Sequence, residues 1–366
     1  MFNSLRDFSD RLLGRGSAAI TVPVMDGALK PNRALDDAEV VATLAGIDDL
    51  ATDGDSLFAS AGPTLYRLDG DRLVKLRSFE ADITALAARA GAVAVALGGS
   101  KVWVFSHVDG RLADVANLNA FRSKSLRSVT AIHFDAEDQL LFTDGSARHG
   151  PPDWCRDLME KGSSGRVGRW RFGDSADVEQ LAAGLAYPCG VLAMDGEVII
   201  SEAWRHRVDR LPTSGEPYFL ADLPGYPSRM AIASAGGFWL TCFVCRTQLV
   251  EFVMREDAYR KRMLATVDPR YWIAPALRSG TSYLEPLQGA GVKQMGVLKP
   301  WAPPRSYGLV LQVDQGGRTI RSLHSQVDGQ NHGITAVAEF DGALYAVSKG
   351  SGRLLRVDLN LMESFA

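Results

Sequence analysis

ITAVAEFDGALYAVS at residues 334–348 and CGVLAMDGEVIISEAW at residues 189–204 share one design. In each stretch an apolar run is followed by an Asp-Gly turn and a second apolar run. That order is typical of two antiparallel strands joined by a tight turn. A small or polar residue precedes the first strand in both stretches, so we expect the positions around Cys189 and Thr335 to be equivalent.

The same design recurs along the chain. Four further copies lie at residues 47–60, 83–97, 129–144 and 228–243. Several copies are followed by additional short apolar strands. Six units of this kind predict an all-β fold, a six-bladed β-propeller, because one blade alone cannot bury both of its faces.

Closure of the ring requires a strand from each end of the repeat region. Residues 38–44 (AEVVATL) precede the first unit, and residues 353–359 (RLLRVDL) end the last. We predict that the two pair in one shared blade, which leaves no exposed edge there.

Two insertions and an N-terminal segment interrupt the pattern. A long interval at about 252–304 predicts a helical insertion in blade five, and a smaller insertion follows Asp144. Residues 1–19 predict a short amphipathic helix, and residues 20–366 the propeller. That helix could dock on the propeller, contact a partner or touch a membrane surface, and we favour the first.

Composition narrows the classes of partner and compartment. The chain has 40 Lys and Arg against 43 Asp and Glu, which argues against nucleic acid as a partner. The four cysteines lack the spacing of a disulfide framework, and the N-terminus lacks the apolar core of a signal peptide. We therefore predict a cytoplasmic protein without a nucleic-acid partner; its oligomeric state is left open. We predict a small-molecule ligand because the six strand starts of a propeller gather around an axial pocket.

The repeats also resemble a known family. PVMDGALKPNRALDDAE near the start, GLAYPCGVLAMDGEVIISEAWRHRVDRL and ADLPGYPSRMAIASAGGFWL are similar to the strictosidine synthase-like group, which includes the adipocyte plasma membrane-associated proteins. That group is a branch of the gluconolactonase, senescence marker protein and paraoxonase superfamily of six-bladed propellers. The resemblance implies a ligand pocket on the propeller axis, while the superfamily hosts several unrelated functions.

The resemblance also implies where a metal ion would be held, and here the chain departs from the pattern. Metal-dependent members hold a divalent cation with Glu, Asn and Asp side chains at the starts of inner strands. The corresponding positions here are Asp48, Thr130 with its neighbour Val129, Cys189, and Ser228 with Arg229. One carboxylate remains and a guanidinium stands where a ligand should be, so we predict no metal and no other cofactor.

The alkaloid-forming branch of the family needs no metal and relies on one Glu at the start of the sixth inner strand. The resemblance aligns that Glu with Thr335. A threonine hydroxyl cannot accept a proton from an iminium intermediate near neutral pH, so the branch's condensation reaction is not expected here.

The predicted site therefore gathers a polar set around the axis. As catalytic candidates we predict Asp48, Cys189, Arg229 and His332; as substrate-binding candidates we predict Thr84, Thr130, Ser228, Thr335, Glu202, Trp204 and Trp272.

Each candidate has an alternative interpretation. Cys189 is either a nucleophile with His332 as its base or a small buried residue. Arg229 pairs with Asp48, binds a substrate anion or points outward. Glu202 is a general acid or a hydrogen-bond acceptor at a strand end, and Trp272 stacks on a ligand or packs the insertion.

Three functions remain compatible with these residues. The first is a metal-independent lyase, cyclase or hydrolase of specialised metabolism. The second is a ligand-binding or scaffold propeller without catalysis. The third is a lactonase or arylesterase with altered metal ligands.

Overall fold

The computed structural model describes residues 22–108, 110–121, 124–172, 177–211, 219–280, 282, 285 and 306–359. The helix predicted at residues 1–19 lies outside the described residues and stays a prediction. The predicted six-bladed β-propeller is confirmed.

The first strand of the chain belongs to the last blade. β1 (Glu39–Thr43) pairs antiparallel with the strand at Arg353–Asp358, with Glu39 opposite Arg356. The predicted closure is thus present: the ends of the repeat region share one sheet.

The blades follow one another along the chain, each an antiparallel sheet. Blade one contains β2 (Ile47–Thr52), β3 (Leu57–Ala61), β4 (Thr64–Asp69) and β5 (Arg72–Ser78). Blade two contains β6 (Ile83–Arg89), β7 (Ala92–Leu97), β8 (Lys101–Val108) and β9 (Arg111–Leu118). A two-stranded hairpin, β10 (Ala120–Phe121) and β11 (Lys124–Ser125), leads to blade three.

Blade three contains β12 (Val129–Phe134), β13 (Leu140–Asp144), β14 (Gly165–Arg171) and β15 (Asp177–Leu185). Within the described residues, blade four contains the strands β16 (Pro188–Met194), β17 (Glu197–Glu202) and β18 (Arg207–Leu211). Blade five contains β19 (Gly225–Ile232), β20 (Phe238–Cys245), β21 (Gly308–Val313) and β22 (Thr319–Ser325). Blade six contains β23 (Ile334–Phe340), β24 (Ala343–Ser348) and β25 (Arg353–Asp358), with β1 outermost.

The helices lie in the two insertions. α1 (Trp154–Met159) lies between β13 and β14; α2 (Gln248–Arg255) and α3 (Asp257–Thr266) lie between β20 and β21. Thr247 caps α2 because its side chain accepts a hydrogen bond from the Val250 N–H. Single 3₁₀ turns occupy Gly27–Leu29, Pro151–Asp153, Ala203–Arg205 and Pro269–Tyr271. No helix among the described residues is long and apolar enough to cross a membrane.

The core lies between neighbouring blades. Ile47 and Leu57 of blade one pack with Val347 and Leu354 of blade six, all fully buried. Inner strands β2, β6, β12, β16, β19 and β23 contact one another in order around the axis, and β23 contacts β2. Their starting residues therefore meet at one end of the axis.

Candidate ligand-binding site on the propeller axis

A β-bulge lies near the start of every inner strand. The pairing register between inner strand and second strand shifts at each of these places, once in five blades and twice in blade five. A bulge leaves a residue unpaired and re-aims its side chain. The residues at the shifts are those expected around the axis: Asp48, Thr84, Thr130, Cys189, Ser228 with Arg229, and Thr335.

The hydroxyl groups at these bulges join neighbouring blades. Thr84 Oγ1 donates to the Val129 carbonyl at 2.8 Å, and Thr130 Oγ1 donates to the Pro188 carbonyl at 2.7 Å. Thr335 Oγ1 donates to the Asp48 carbonyl at 2.6 Å, which links blade six to blade one. These three predicted substrate-binding residues therefore have a structural role, and their hydroxyl hydrogens point at protein carbonyls.

Ser228 and Cys189 continue the same arrangement in blades four to six. Ser228 Oγ lies 3.4 Å from the Thr335 carbonyl and 3.4 Å from Cys189 Sγ. Both residues are buried.

Arg229 occupies the axis itself. Its guanidinium donates to the backbone carbonyls of Thr84 at 2.6 Å, Thr130 at 3.0 Å and Asp48 at 3.0 Å. Its Nη1 also lies 3.4 Å from the Thr335 carbonyl. One side chain from blade five thus binds inner strands of blades one, two, three and six.

Two carboxylates of blade one complete this contact. Arg229 Nη1 lies 3.3 Å from Asp48 Oδ1, and Arg229 Nε lies 3.1 Å from Asp49 Oδ2. Burial alone would lower the pKa of Arg229, but the charges of Asp49 and Asp48 outweigh burial and raise it. Of the three interpretations of Arg229, the ion pair with Asp48 matches these contacts, since protein acceptors already occupy the guanidinium edges.

The pKa values of the two neighbouring carboxyl groups are shifted in opposite directions. Burial would raise the pKa of Asp48, but Lys349 and Arg229 together lower it below its usual value. Burial raises the pKa of Asp49 to about 7, despite the opposing charge of Arg229 and hydrogen bonds from the Leu86 and Leu50 amides. Lys349 Nζ lies 3.1 Å from Asp48 Oδ1.

A cavity of about 80 Å³ lies on this end of the axis. Its floor includes all seven residues at the bulges, and its walls are largely apolar. The remaining lining residues are Val129, Pro151, Trp154, Tyr187, Phe243, Leu277 and Lys349. Trp154 and Leu277 come from the two insertions, so both insertions help to shape the cavity.

Cys189 lines the cavity without an activating partner among the described residues. Burial raises the pKa of its thiol, and Arg229 offsets this only in part. A protonated thiol is a poor nucleophile. The geometry therefore favours the interpretation of Cys189 as a small buried residue.

His332 does not line the cavity. Its Nδ1 lies 2.7 Å from Ser306 Oγ and its Nε2 lies 2.6 Å from the Gln326 carbonyl, so both ring nitrogens are engaged away from Cys189. Burial lowers the pKa of the ring. The structure does not bring together the predicted nucleophile and base.

Glu202, Trp204 and Trp272 also lie outside the cavity lining. Glu202 is fully buried at the end of β17, where it accepts hydrogen bonds from the Ala186 amide and the guanidinium groups of Arg205 and Arg207. These contacts are those of a strand-end acceptor.

The two tryptophans contact protein groups rather than the cavity. Trp204 stacks on Tyr187 with ring centroids 4.4 Å apart, and its Nε1 donates to Asp157 Oδ1 at 2.8 Å. Trp272 is 1% exposed and its Nε1 donates to the Val267 carbonyl. It packs the insertion rather than facing a ligand.

Sequence reasoning missed three residues that line the cavity: Lys349, Trp154 and Leu277. Lys349 follows Ser348, which pairs with Ile334 at the start of the inner strand of its blade. In an antiparallel hairpin the end of the second strand lies beside the start of the first. That rule was the available signal for Lys349; Trp154 and Leu277 lie in insertions, where no strand pattern positions a residue.

Comparison with known proteins supports the same architecture. No protein-family model matches the chain. It is 26% identical over 234 residues to an adipocyte plasma membrane-associated protein of Salmo salar, covering 61% of this chain and 49% of that protein. It is 29% identical over 161 residues to strictosidine synthase-like protein 13 of Arabidopsis thaliana, covering 42% of this chain and 36% of that protein.

The chain is a homologue of these two proteins. It spans about half the length of the adipocyte plasma membrane-associated relatives that it matches. Among solved structures, a calcium-binding regucalcin of Agrobacterium tumefaciens superposes with a TM-score of 0.53 at 12% identity, covering 87% of this chain and 92% of that one. This likeness concerns the fold alone.

The axial residues of this homologue do not fit a calcium ion. Calcium requires six to eight oxygen ligands. Here the Arg229 guanidinium already takes the carbonyl oxygens at the axis, and Asp48 and Asp49 both face cations. Across the described residues, no cluster of three or more His, Cys, Asp or Glu side chains is arranged to hold a metal ion.

Proposed function

We propose that this propeller binds a small organic molecule in the axial cavity without a metal ion. One observation carries the proposal: the Arg229 guanidinium supplies a positive charge on the axis and donates to the carbonyls of three other blades at 2.6–3.0 Å. A cation would be redundant there and would be repelled. The cavity above this floor has the apolar walls and few polar groups of a ligand pocket.

Binding is favoured over catalysis because the polar groups of the cavity floor already form hydrogen bonds with other protein groups. The bulge hydroxyls donate to backbone carbonyls, and the Cys189 thiol has a raised pKa. A scaffold propeller would also have a central channel, so the binding measurement below distinguishes that alternative.

A second candidate is metal-independent lyase, cyclase or hydrolase chemistry with Asp48 as the base. The observation in its favour is that Asp48 lines the cavity beside the Lys349 ammonium group. Its lowered pKa makes it a weak base at neutral pH, so binding remains the first proposal. Cytoplasmic location and the absence of a nucleic-acid partner stay predictions.

The test joins metal analysis with ligand binding. Elemental analysis of the purified, undialysed protein should find no stoichiometric divalent ion, and neither EDTA nor calcium should change Tm. A panel of small aromatic compounds should then give binders by ligand-observed NMR in EDTA. One equivalent of bound calcium, or binding that requires it, would revive the metal-dependent lactonase.

A matched pair of variants locates the binding. Leu277→Trp narrows the cavity at its wall, whereas Val74→Trp adds the same side chain on an exposed outer strand. The first variant should abolish binding of the aromatic compounds and the second should leave it unchanged. Equal binding by both variants would move the ligand site away from the axis.

A further inference from the structure

We infer that Lys349 selects the ligand of the axial cavity, and that this ligand is a neutral aromatic molecule whose oxygen accepts a hydrogen bond from the Lys349 ammonium group. The inference deepens the proposed function and rests on it. Four properties of the described cavity residues carry it: the remaining hydrogen-bond donors, the walls, the volume and the charge.

The first property is the supply of donors. Thr84, Thr130 and Thr335 each donate their hydroxyl hydrogen to a backbone carbonyl. The Arg229 guanidinium donates to carbonyl and carboxylate oxygens. The Lys349 ammonium group has three N–H donors, and Asp48 takes one at 3.1 Å. Its side chain is 37% exposed, compared with 12% for Arg229. A ligand entering the cavity thus meets Lys349 as an available donor.

The second property is the shape of the walls. Trp154, Tyr187 and Phe243 line the cavity together with Leu277. Trp154 and Phe243 meet edge to face with ring centroids 5.3 Å apart, and Tyr187 is held by its stack on Trp204. Aromatic rings in fixed orientations favour an aromatic partner.

The third property is the volume. A cavity of about 150 Å³ accommodates a benzene ring. The axial cavity has about 80 Å³. It therefore takes the polar end of a ligand, while the ring lies along the aromatic wall toward the opening.

The fourth property is the balance of charge. The carboxyl groups of Asp48 and Asp49 lie within 3.3 Å of the cationic groups of Arg229 and Lys349. A ligand anion would add a negative charge close to two carboxylates, and a ligand cation would approach two fixed cations. A neutral acceptor, such as a ketone oxygen, avoids both costs.

Two isosteric probes test the inference at pH 8. Acetophenone carries a C=O group where α-methylstyrene carries C=CH₂, and benzoate adds the charge. Hydrogen bonds to charged groups are strong enough to predict about tenfold tighter binding of acetophenone than of α-methylstyrene, measured by ligand-observed NMR titration. Benzoate should bind more weakly than acetophenone.

Substitutions then assign the preference to Lys349. Lys349→Met should lower acetophenone affinity about tenfold and leave α-methylstyrene within twofold; Lys349→Arg should retain the preference. Lys75→Met, on the exposed outer strand β5, is the matched control and should change neither. The probe comparison on the unsubstituted protein needs no variant, so a poorly folded Lys349→Met protein does not prevent the test.

The outcomes separate the two proposals. If both probes bind equally and Leu277→Trp abolishes both, the cavity binds ligands but Lys349 does not select them, and the inference fails alone. If benzoate binds tightest, the neutral-ligand inference is wrong. If no probe binds and no member of the aromatic panel binds either, the proposed function fails together with the inference.

Discussion

The surroundings of the Cys189 thiol show whether this residue of the axial cavity is suited to act as a nucleophile. Cys189 is 8% exposed, and its Sγ lies 3.4 Å from Ser228 Oγ. Burial raises its pKa above the usual thiol value, because a thiolate would lose its hydration in this position. His332, the base proposed from sequence, faces Ser306 and the Gln326 carbonyl instead.

We therefore predict that Cys189 remains a protonated thiol at neutral pH. A raised thiol pKa means that the folded protein holds this proton at pH values where the unfolded chain has lost it. Alkylation of Cys189 by iodoacetamide should be slow at pH 7.5 and accelerate only above pH 9, as followed by peptide mass spectrometry. The half-buried Cys155 and the denatured protein serve as references.

The opposite result would have a clear meaning. Rapid alkylation of Cys189 with an apparent pKa below 8 would show an activated thiolate, and the nucleophile hypothesis would return.

At the scale of elements, the bulged hairpin is the unit that builds the site. Each inner strand has a bulge near its start. In blades two, three and six the side chain at the bulge donates a hydrogen bond to a carbonyl of the next blade. Blades four and five approach each other closely. A Cβ atom on Gly190 would lie 2.3 Å from the Ser228 carbonyl oxygen and 2.9 Å from Ser201 Oγ.

Gly190→Ala should therefore destabilise the protein by about 1–3 kcal/mol, the usual range for overpacking a close contact. The displaced atom is a backbone oxygen at the axis, so ligand binding should weaken as well. Chemical denaturation measures the first effect and NMR titration the second.

Gly150→Ala is the matched control, since its nearest neighbour would be Pro152 Cδ at 3.8 Å. Equal stability of the two variants would contradict the close approach of blades four and five.

On the scale of the whole molecule, two sets of contacts hold the ring of blades together: the β1–β25 pairing in blade six and the contacts of Arg229 on the axis. β1 joins the two ends of the repeat region in blade six. Arg229 binds carbonyls of four other blades along the axis. Its loss would leave the Asp49 carboxyl without its cation and several axial carbonyls without donors.

We predict that Arg229→Met lowers the free energy of unfolding by about 3–5 kcal/mol, as expected when one partner of a buried ion pair is removed. Arg77→Met removes the exposed pair with Asp114 and the cation–π contacts with Phe79 and Phe105, and should cost about 1–2 kcal/mol. Denaturant titration of both variants measures the difference.

A small effect of Arg229→Met, similar to that of Arg77→Met, would contradict the structural role of the guanidinium. Calcium-dependent recovery of stability in Arg229→Met would show that the axis can still accept a cation once the guanidinium is removed.

The alternation of apolar strands and Asp-Gly turns determined the blades and their number, because strand pairing within a hairpin depends on local residues. The shared sixth blade followed from the need to close the ring without an exposed edge. It also identified the seven residues at the bulges, since equivalent positions in a repeat occupy equivalent places. What each axial side chain does was decided only in three dimensions. The carbonyl partners of Arg229 include Thr130 and Asp48, which lie 99 and 181 positions away in sequence, and Lys349 contacts Asp48 at the opposite end of the repeat region. His332 turns away from Cys189 because its ring nitrogens contact Ser306 and the Gln326 carbonyl. Hydrogen-bond geometry across blades is not encoded in any one repeat.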